Sequence, residues 1–384
     1  IHRDLKLENI DTNQLPRLFG FHFAKEIKGD FCKCHHLKGT PAFLAPEVLK
    51  NLEYSKSSDV YSFAYLMYII MTNQRPFSDD QSPQQLIKKI CDEKIRPEFK
   101  LPIPKCYRQL IERCWSEDPS KRPSFDDILS ELRTNRDFIT DTVIEKQYLE
   151  YVSYIDNYPM TFDSSKRIPQ IDEIMNNKLN TFIDFDFDMG NRNIYESEFY
   201  NVSFDNKFEL SDYEKQKKIG KGNFYKVWLI RNKITKERFA AKKILALYDR
   251  NSALNFTQEV NLYLQFNHPS ILKYIGYSPI GFQRNLREIV VTEYAPMGSL
   301  KNILEQNKDL NDTKKLINIY GIASAMLYLH SNNVLHRDLK TEHIFLTKDC
   351  YPKLIEYVNV KYITMKIIKE KERHCIFHLK FGLR

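Results

Sequence analysis

The sequence carries both helical and strand periods, the ingredients of an α+β fold, and three observations organise it. The first is helical periodicity. Val60, Phe63, Ala64, Leu66, Met67, Ile69 and Ile70 make a run that is apolar nearly all round, the pattern of a buried helix. Phe125, Ile128, Leu129 and Leu132 form one apolar face behind Ser124, a good helix N-cap. Leu316, Ile319, Ala323, Met326, Leu327 and His330 recur at helical spacing over 311–332. The second is strict alternation from Ile183 to Asp188, as in a half-buried strand. The third is a repeat. His-Arg-Asp-Leu-Lys stands at 2–6 and again at 336–340, each copy followed at one distance by an isoleucine, Ile10 or Ile344. Two copies in matching contexts make chance a poor explanation.

A chain of 384 residues has the length of two or three domains. With 42% apolar and 13% aromatic residues it can bury a core, which excludes a disordered chain. The net charge of +8, from 58 basic and 50 acidic residues, is mild for this length. It reads as a mixed solvated surface, with no nucleic-acid partner expected. Seven cysteines, an odd number, imply no disulfide framework and fit a reducing compartment, hence a cytoplasmic location. Cys32-Lys33-Cys34-His35-His36 lacks a second ligand pair at zinc-finger spacing and reads as a polar loop, as does His374-Cys375 with His378. The longest apolar run, Phe63 to Met71, is too short to span a bilayer. The chain opens on Ile1 in mid-motif, which reads as a fragment of a longer product or an abnormal gene model.

The repeated stretch, continued in the first copy to Asn9, resembles the catalytic loop of protein kinases. The resemblance implies that Asp4 and Asp338 accept or orient the proton of a substrate hydroxyl. Lys6 and Lys340 would neutralise the moving phosphoryl group, and Asn9 would hold Mg²⁺. The lysine is similar to that of serine/threonine-type loops. Residues 1–138 resemble the larger, helical lobe from that loop onward. Gly20 stands where the family has a metal-binding Asp, and a glycine cannot ligate a metal. Gly39 to Glu47 resembles the end of an activation segment, and Asp59 the carboxylate that holds the catalytic-loop backbone. Arg113 to Phe125 is similar to the tyrosine-kinase-like group, with Arg122 expected to pair with Glu47.

Residues 139–209 read as a linker with one or two short elements. Residues 210–360 resemble the small lobe, hinge and catalytic-loop part. Ile219, Gly220, Gly222 and Val227 belong to a glycine-rich hairpin, with Tyr225 replacing the third glycine. Ala240 and Lys242 fall on the third strand; Lys242 would reach the α- and β-phosphates and pair with Glu259, while Lys243 points to the other face. Thr292 takes the place of the pocket-depth residue, and backbone groups from Glu293 to Ala295 would bond the adenine edge. His343 replaces the second metal-binding Asn, and Glu356 keeps a carboxylate on a longer arm where an Asp is expected, so Mg²⁺ binding would be weak or absent. Residues 361–384 form a basic tail outside the family pattern.

The resemblance implies a protein-kinase-like two-lobe fold: a small antiparallel sheet lobe plus one helix, and a large, mainly helical lobe, with the pieces in permuted order. It implies ATP as ligand, protein Ser/Thr as phosphoryl acceptor, and a protein substrate or partner kinase. Three readings remain open: a slow kinase, a pseudokinase acting as scaffold or allosteric partner, and a non-functional gene fragment. In the permuted arrangement Lys242 and Glu259 would face Asp4 and Asn9, and the two loop copies would compete for one slot.

Overall fold

The computed structural model describes residues 31–34, 37, 39–77, 82–163, 208–221, 225–244, 264–280, 282, 286–306, 310–355 and 361–362. The chain divides into two compact units, each made of separate stretches. The described parts of Leu132–Ala325 and Lys340–Val358 belong to one; those of Phe23–Glu131, Met326–Leu339 and Asn359–Arg384 belong to the other.

The second of these units is mainly helical, and its centre is the helix Lys56–Thr72. Ser55 caps it in a reciprocal box: its hydroxyl accepts from the Ser58 amide at 3.2 Å, and the Ser58 hydroxyl accepts from the Ser55 amide at 3.0 Å. Asn73, in the left-handed conformation, ends it. Val60, Phe63, Ala64, Leu66, Met67 and Ile70 are buried, as the apolar run required, while Ile69 is half-buried. Leu110, Ile111 and Cys114 of the helix Lys105–Cys114 are buried in the same unit. Phe63 meets Phe125 edge to face at 5.3 Å. Ser124 exchanges bonds with Asp127 at the start of the helix Phe125–Thr134, and Phe125, Ile128, Leu129 and Leu132 are buried, as their spacing implied. The expected ion pair is a fork: Arg122 Nη1 and Nη2 donate to the two Glu47 oxygens at 2.7 and 2.9 Å. Two short antiparallel pairs complete the unit, Phe31–Lys33 with Glu53–Ser55 and Val334–Leu335 with Lys361–Tyr362.

The other unit is built on a five-stranded antiparallel sheet. Its order is Tyr213–Lys221, Tyr225–Asn232, Arg238–Ile244, Leu286–Glu293 and Tyr274–Ile280. On one face Ile230, Ala241, Ile289 and Val291 are fully buried beneath Phe208, Leu210, Tyr213, Trp228 and Phe239. A three-stranded sheet joins Gly298–Ser299, Ile344–Leu346 and Pro352–Leu354.

Part of the stretch read as a linker is built into this unit. Residues Glu145–Asp156 form a helix, and Thr161–Phe162 pair antiparallel with Phe266–Asn267. Tyr148 and Tyr151 are buried against Tyr320 of the helix Asp312–Ser331. The Tyr148 hydroxyl donates to the Leu132 carbonyl at 3.0 Å, and those of Tyr151 and Ser270 bond at 2.9 Å. Gly321 permits this approach: a Cβ there would lie 2.6 Å from Pro352 Cγ and closer still to the Tyr151 hydroxyl. The helix Asp312–Ser331 therefore differs from the single apolar stripe expected of it. Ile317, Tyr320 and Ile322 are buried as well as Leu316, Ile319, Ala323 and Met326, while Leu327 is half-buried. The tyrosines of Glu145–Asp156 cover the face that bears Tyr320. The alternating stretch 183–188 lies outside the described residues.

Candidate active site

The catalytic-loop sequence seen in the helical unit is the second copy. Asp59, in the first turn of Lys56–Thr72, is buried and receives three donors. The His336 amide donates to Oδ2 at 2.9 Å, the Arg337 amide to Oδ1 at 2.8 Å, and His330 Nε2 lies 3.0 Å from Oδ2. Burial alone would raise this carboxyl. The His330 hydrogen bond, the charges of His330 and His336 and the Arg337 amide outweigh that and hold it below the usual carboxylate range. An ionised Asp59 thus anchors a tight turn in which Arg337 takes φ 63°. Asp59 is thus engaged by residues 336 and 337 of the second copy, while Asp4 and Asn9 of the first lie outside the described residues.

Asp338, at the end of that turn, is buried. Its Oδ1 accepts from the Thr40 amide at 3.2 Å and from the Thr40 hydroxyl at 3.4 Å. Gly39, at φ 95°, lets the two segments meet; a Cβ there would fall 2.7 Å from the Arg337 carbonyl oxygen. The Arg337 guanidinium is buried beside Cys34 Sγ, 3.5 Å away, and over the Tyr54 ring. Asp59 was legible from the sequence. Thr40 and His330 as partners of this loop were not, because a threonine in a loop and a histidine on an apolar helix carry no specific signal.

The sheet unit holds the remaining described candidates. Strand register lines up Gly220, Val227, Lys242 and Val290 in one row across four strands, and pairs Ala240 with Thr292. Side chains two apart share a face, so Val227, Ala240, Lys242 and Thr292 all lie on the face opposite the buried Ala241–Val291 cluster. Ile219 sits in a register shift between the Lys218 and Gly220 pairings. Thr292 is buried. Glu293 spends its carboxylate locally, accepting from the Lys273 amide at 2.8 Å and pairing with Lys353 at 2.9 Å. The Ala295 carbonyl accepts from Gly298 at 3.3 Å, closing the turn after the last strand.

Lys340 is buried in the same unit. The Glu342 carboxyl, which burial would raise, is held low by Lys301 and Lys340; Lys301 Nζ lies 3.2 Å from Glu342 Oε1. His343 is buried, its amide bonded to the Lys340 carbonyl at 3.0 Å and its carbonyl to the Ile355 amide at 2.9 Å. Asp4, Lys6, Asn9, Gly20, Gly222, Glu259 and Glu356 lie outside the described residues. Among the described residues, no helix is long and apolar enough to cross a membrane.

Comparison with known proteins agrees with this geometry. The family model described as the protein kinase domain matches residues 1–132 and 213–371. Dual specificity protein kinase shkA of Dictyostelium discoideum is 36% identical over 153 residues, which cover 38% of this chain and 28% of that protein. Its relative shkE, from the same organism, is 34% identical over 148 residues, covering 38% of this chain and 20% of that protein. Dual specificity protein kinase pyk3 is 28% identical over 317 residues, 80% of this chain but 20% of that protein. The matched segments thus span 20–28% of these relatives' own lengths. With the kinase-domain model matching most of its residues in two pieces, on an α+β architecture of antiparallel sheet and helical unit, the chain belongs to the protein kinase family.

Proposed function

We propose that this chain binds ATP and transfers its γ-phosphoryl group to protein Ser/Thr, slowly, as a member of the tyrosine-kinase-like group. The observation that carries the reading is the Asp59 clamp, which holds His336 and Arg337 by their amides and so aims Asp338. A loop fixed by an ionised buried carboxylate is suited to orienting a hydroxyl nucleophile, and Asp338 is its acid-base group. In this reading the pieces 1–138 and 210–360 make one kinase domain in inverted order, with the second loop copy as the working one. Residues 139–209 connect them, and 361–384 are a tail.

Lys242 takes the phosphates, with Gly220, Val227, Ala240 and Thr292 lining the same sheet face. The family implies Mg²⁺. The donor set does not fit it well: His343 offers a nitrogen where a hard cation prefers oxygen. No step is therefore routed through the metal, and nucleotide binding is expected to depend on it only weakly. The buried His343 favours one further reading, a pseudokinase that binds ATP and acts as scaffold or partner of another kinase. Cys34, Cys91, Cys106, Cys114 and Cys350 carry thiols outside any disulfide, which suits the cytoplasm.

Phosphate transfer to a generic protein substrate, assayed with His343→Asn alongside, separates the two. A slow kinase shows transfer well below the ordinary range of about 1–100 s⁻¹, raised by His343→Asn and abolished by Asp338→Asn. ATP binding without transfer in either protein supports the pseudokinase instead. In calorimetry, Lys242→Met is expected to abolish most ATP binding while leaving the fold intact; an unchanged affinity contradicts the assignment.

A further inference from the structure

The chain's net charge is +8, and residues 211–243 alone carry eleven Lys and Arg against three Asp and Glu, the same excess. This stretch makes the first three strands of the sheet. Lys215, Lys217 and Lys218 are exposed on the edge strand Tyr213–Lys221. Lysines there discourage pairing with another strand and need no further account.

The interior strands do need one. Arg231 lies directly opposite Arg238, and Lys226 directly opposite Lys243. Like charges facing each other across a ladder are destabilising. Glu214 relieves Arg231 only in part, at 3.6 Å. By register, Lys215, Lys218, Lys226 and Lys243 share one face with Trp228, and Lys215 Nζ sits 3.4 Å from its ring centroid. Lys226 and Lys243 pair at the far end, while Arg231 and Arg238 lie on the opposite face at the turn end of the hairpin, where Lys215, opposite Ile230, is the nearest of the first face. There Asn232 Oδ1 accepts from the Ile234 and Thr235 amides and closes the turn. The turn holds up Ile234 at 86% exposure, the most exposed large apolar residue among those described, with Lys233 and Lys236 beside it.

We propose that this hairpin end docks on an anionic lipid surface. Ile234 enters the headgroup layer while the surrounding lysines and arginines meet the negative charge. An apolar tip inside a basic collar supplies the two weak signals that reversible membrane attachment requires. A nucleic acid would use the basic groups but has no place for the tip.

The test is flotation of the full chain with phosphatidylcholine vesicles, with and without phosphatidylserine. Binding is expected only to the anionic vesicles and is lost at high salt. Lys233→Gln with Lys236→Gln is expected to weaken partition about 25-fold, about fivefold for each lysine. Ile234→Asp is expected to weaken it about 30-fold. Lys88→Gln with Lys105→Gln, on the helical unit, leaves it unchanged. ATP binding is unaffected in all three, which shows that the variants are folded. Equal binding to both vesicle types, an Ile234→Asp protein that floats like wild type, or capture of poly(U) in preference to the anionic vesicles overturns the proposal.

Discussion

Asp59 shows how one side chain sets the state of a loop. Its three donors come from two later stretches of the chain, His330 and the 336–337 backbone. Replacing it with alanine strands two buried amides and is expected to cost about 4 kcal/mol. Urea unfolding of Asp59→Ala checks this; an unshifted midpoint contradicts it. His268 makes a second prediction at this scale. Burial, with Lys353 nearby, pushes its pKa down to about 3, and its Nδ1 accepts the Ser270 amide at 3.0 Å. In the unfolded chain it titrates near 6.5. Above that pH both states are neutral and nothing changes. Below it only the unfolded state takes the proton, so stability falls by about 1.4 kcal/mol per pH unit. The Asp59 carboxyl, held low, loses its contribution only in more acid solution. Stability measured at pH 7 and pH 5 should therefore differ by about 2 kcal/mol, and equal values contradict the assignment.

At the scale of elements, capping and periodicity carried most of the information. Ser124 with the Phe125–Leu132 face and the all-apolar helix through Phe63 were legible because local chemistry and tertiary role agree, whereas the Arg122–Glu47 pair was legible only through the family resemblance. The helix Glu145–Asp156 was not. Its buried residues are Tyr148, Tyr151 and Ile155, but Leu149 and Tyr154 are exposed, so apolar spacing does not single out the buried face, and its partners Ser270 and Thr313 lie 119 and 169 positions away. The close approach at Gly321 gives a direct check. Gly321→Ala should strongly destabilise the chain, because a methyl group meets the Tyr151 hydroxyl and Pro352. Adding Tyr151→Phe removes one of the two clashes at the cost of about 1 kcal/mol for the lost Ser270 bond, so the double variant should recover part of the loss. Strictly additive effects in thermal unfolding would argue against that contact.

For the whole molecule, the sequence showed the family and the inverted order of its pieces but not which loop copy meets Asp59. Asp4 and Asp338 sit in the same pentapeptide, and the first copy keeps the Asn9 that the second replaces with His343, so motif completeness favours the first while the described contact of Asp59 is with the second. The choice depends on which copy reaches Asp59, a tertiary fact that no local pattern encodes. The candidate binding face was more legible: alternation along the strands places Val227, Ala240 and Lys242 together, and register alone brings Thr292 beside Ala240. Which loop copy works is read from phosphate transfer by Asp338→Asn and Asp4→Asn, measured beside the unaltered chain under single-turnover conditions. Slow transfer should disappear in Asp338→Asn and persist in Asp4→Asn; loss in Asp4→Asn with retention in Asp338→Asn would overturn the role of Asp338.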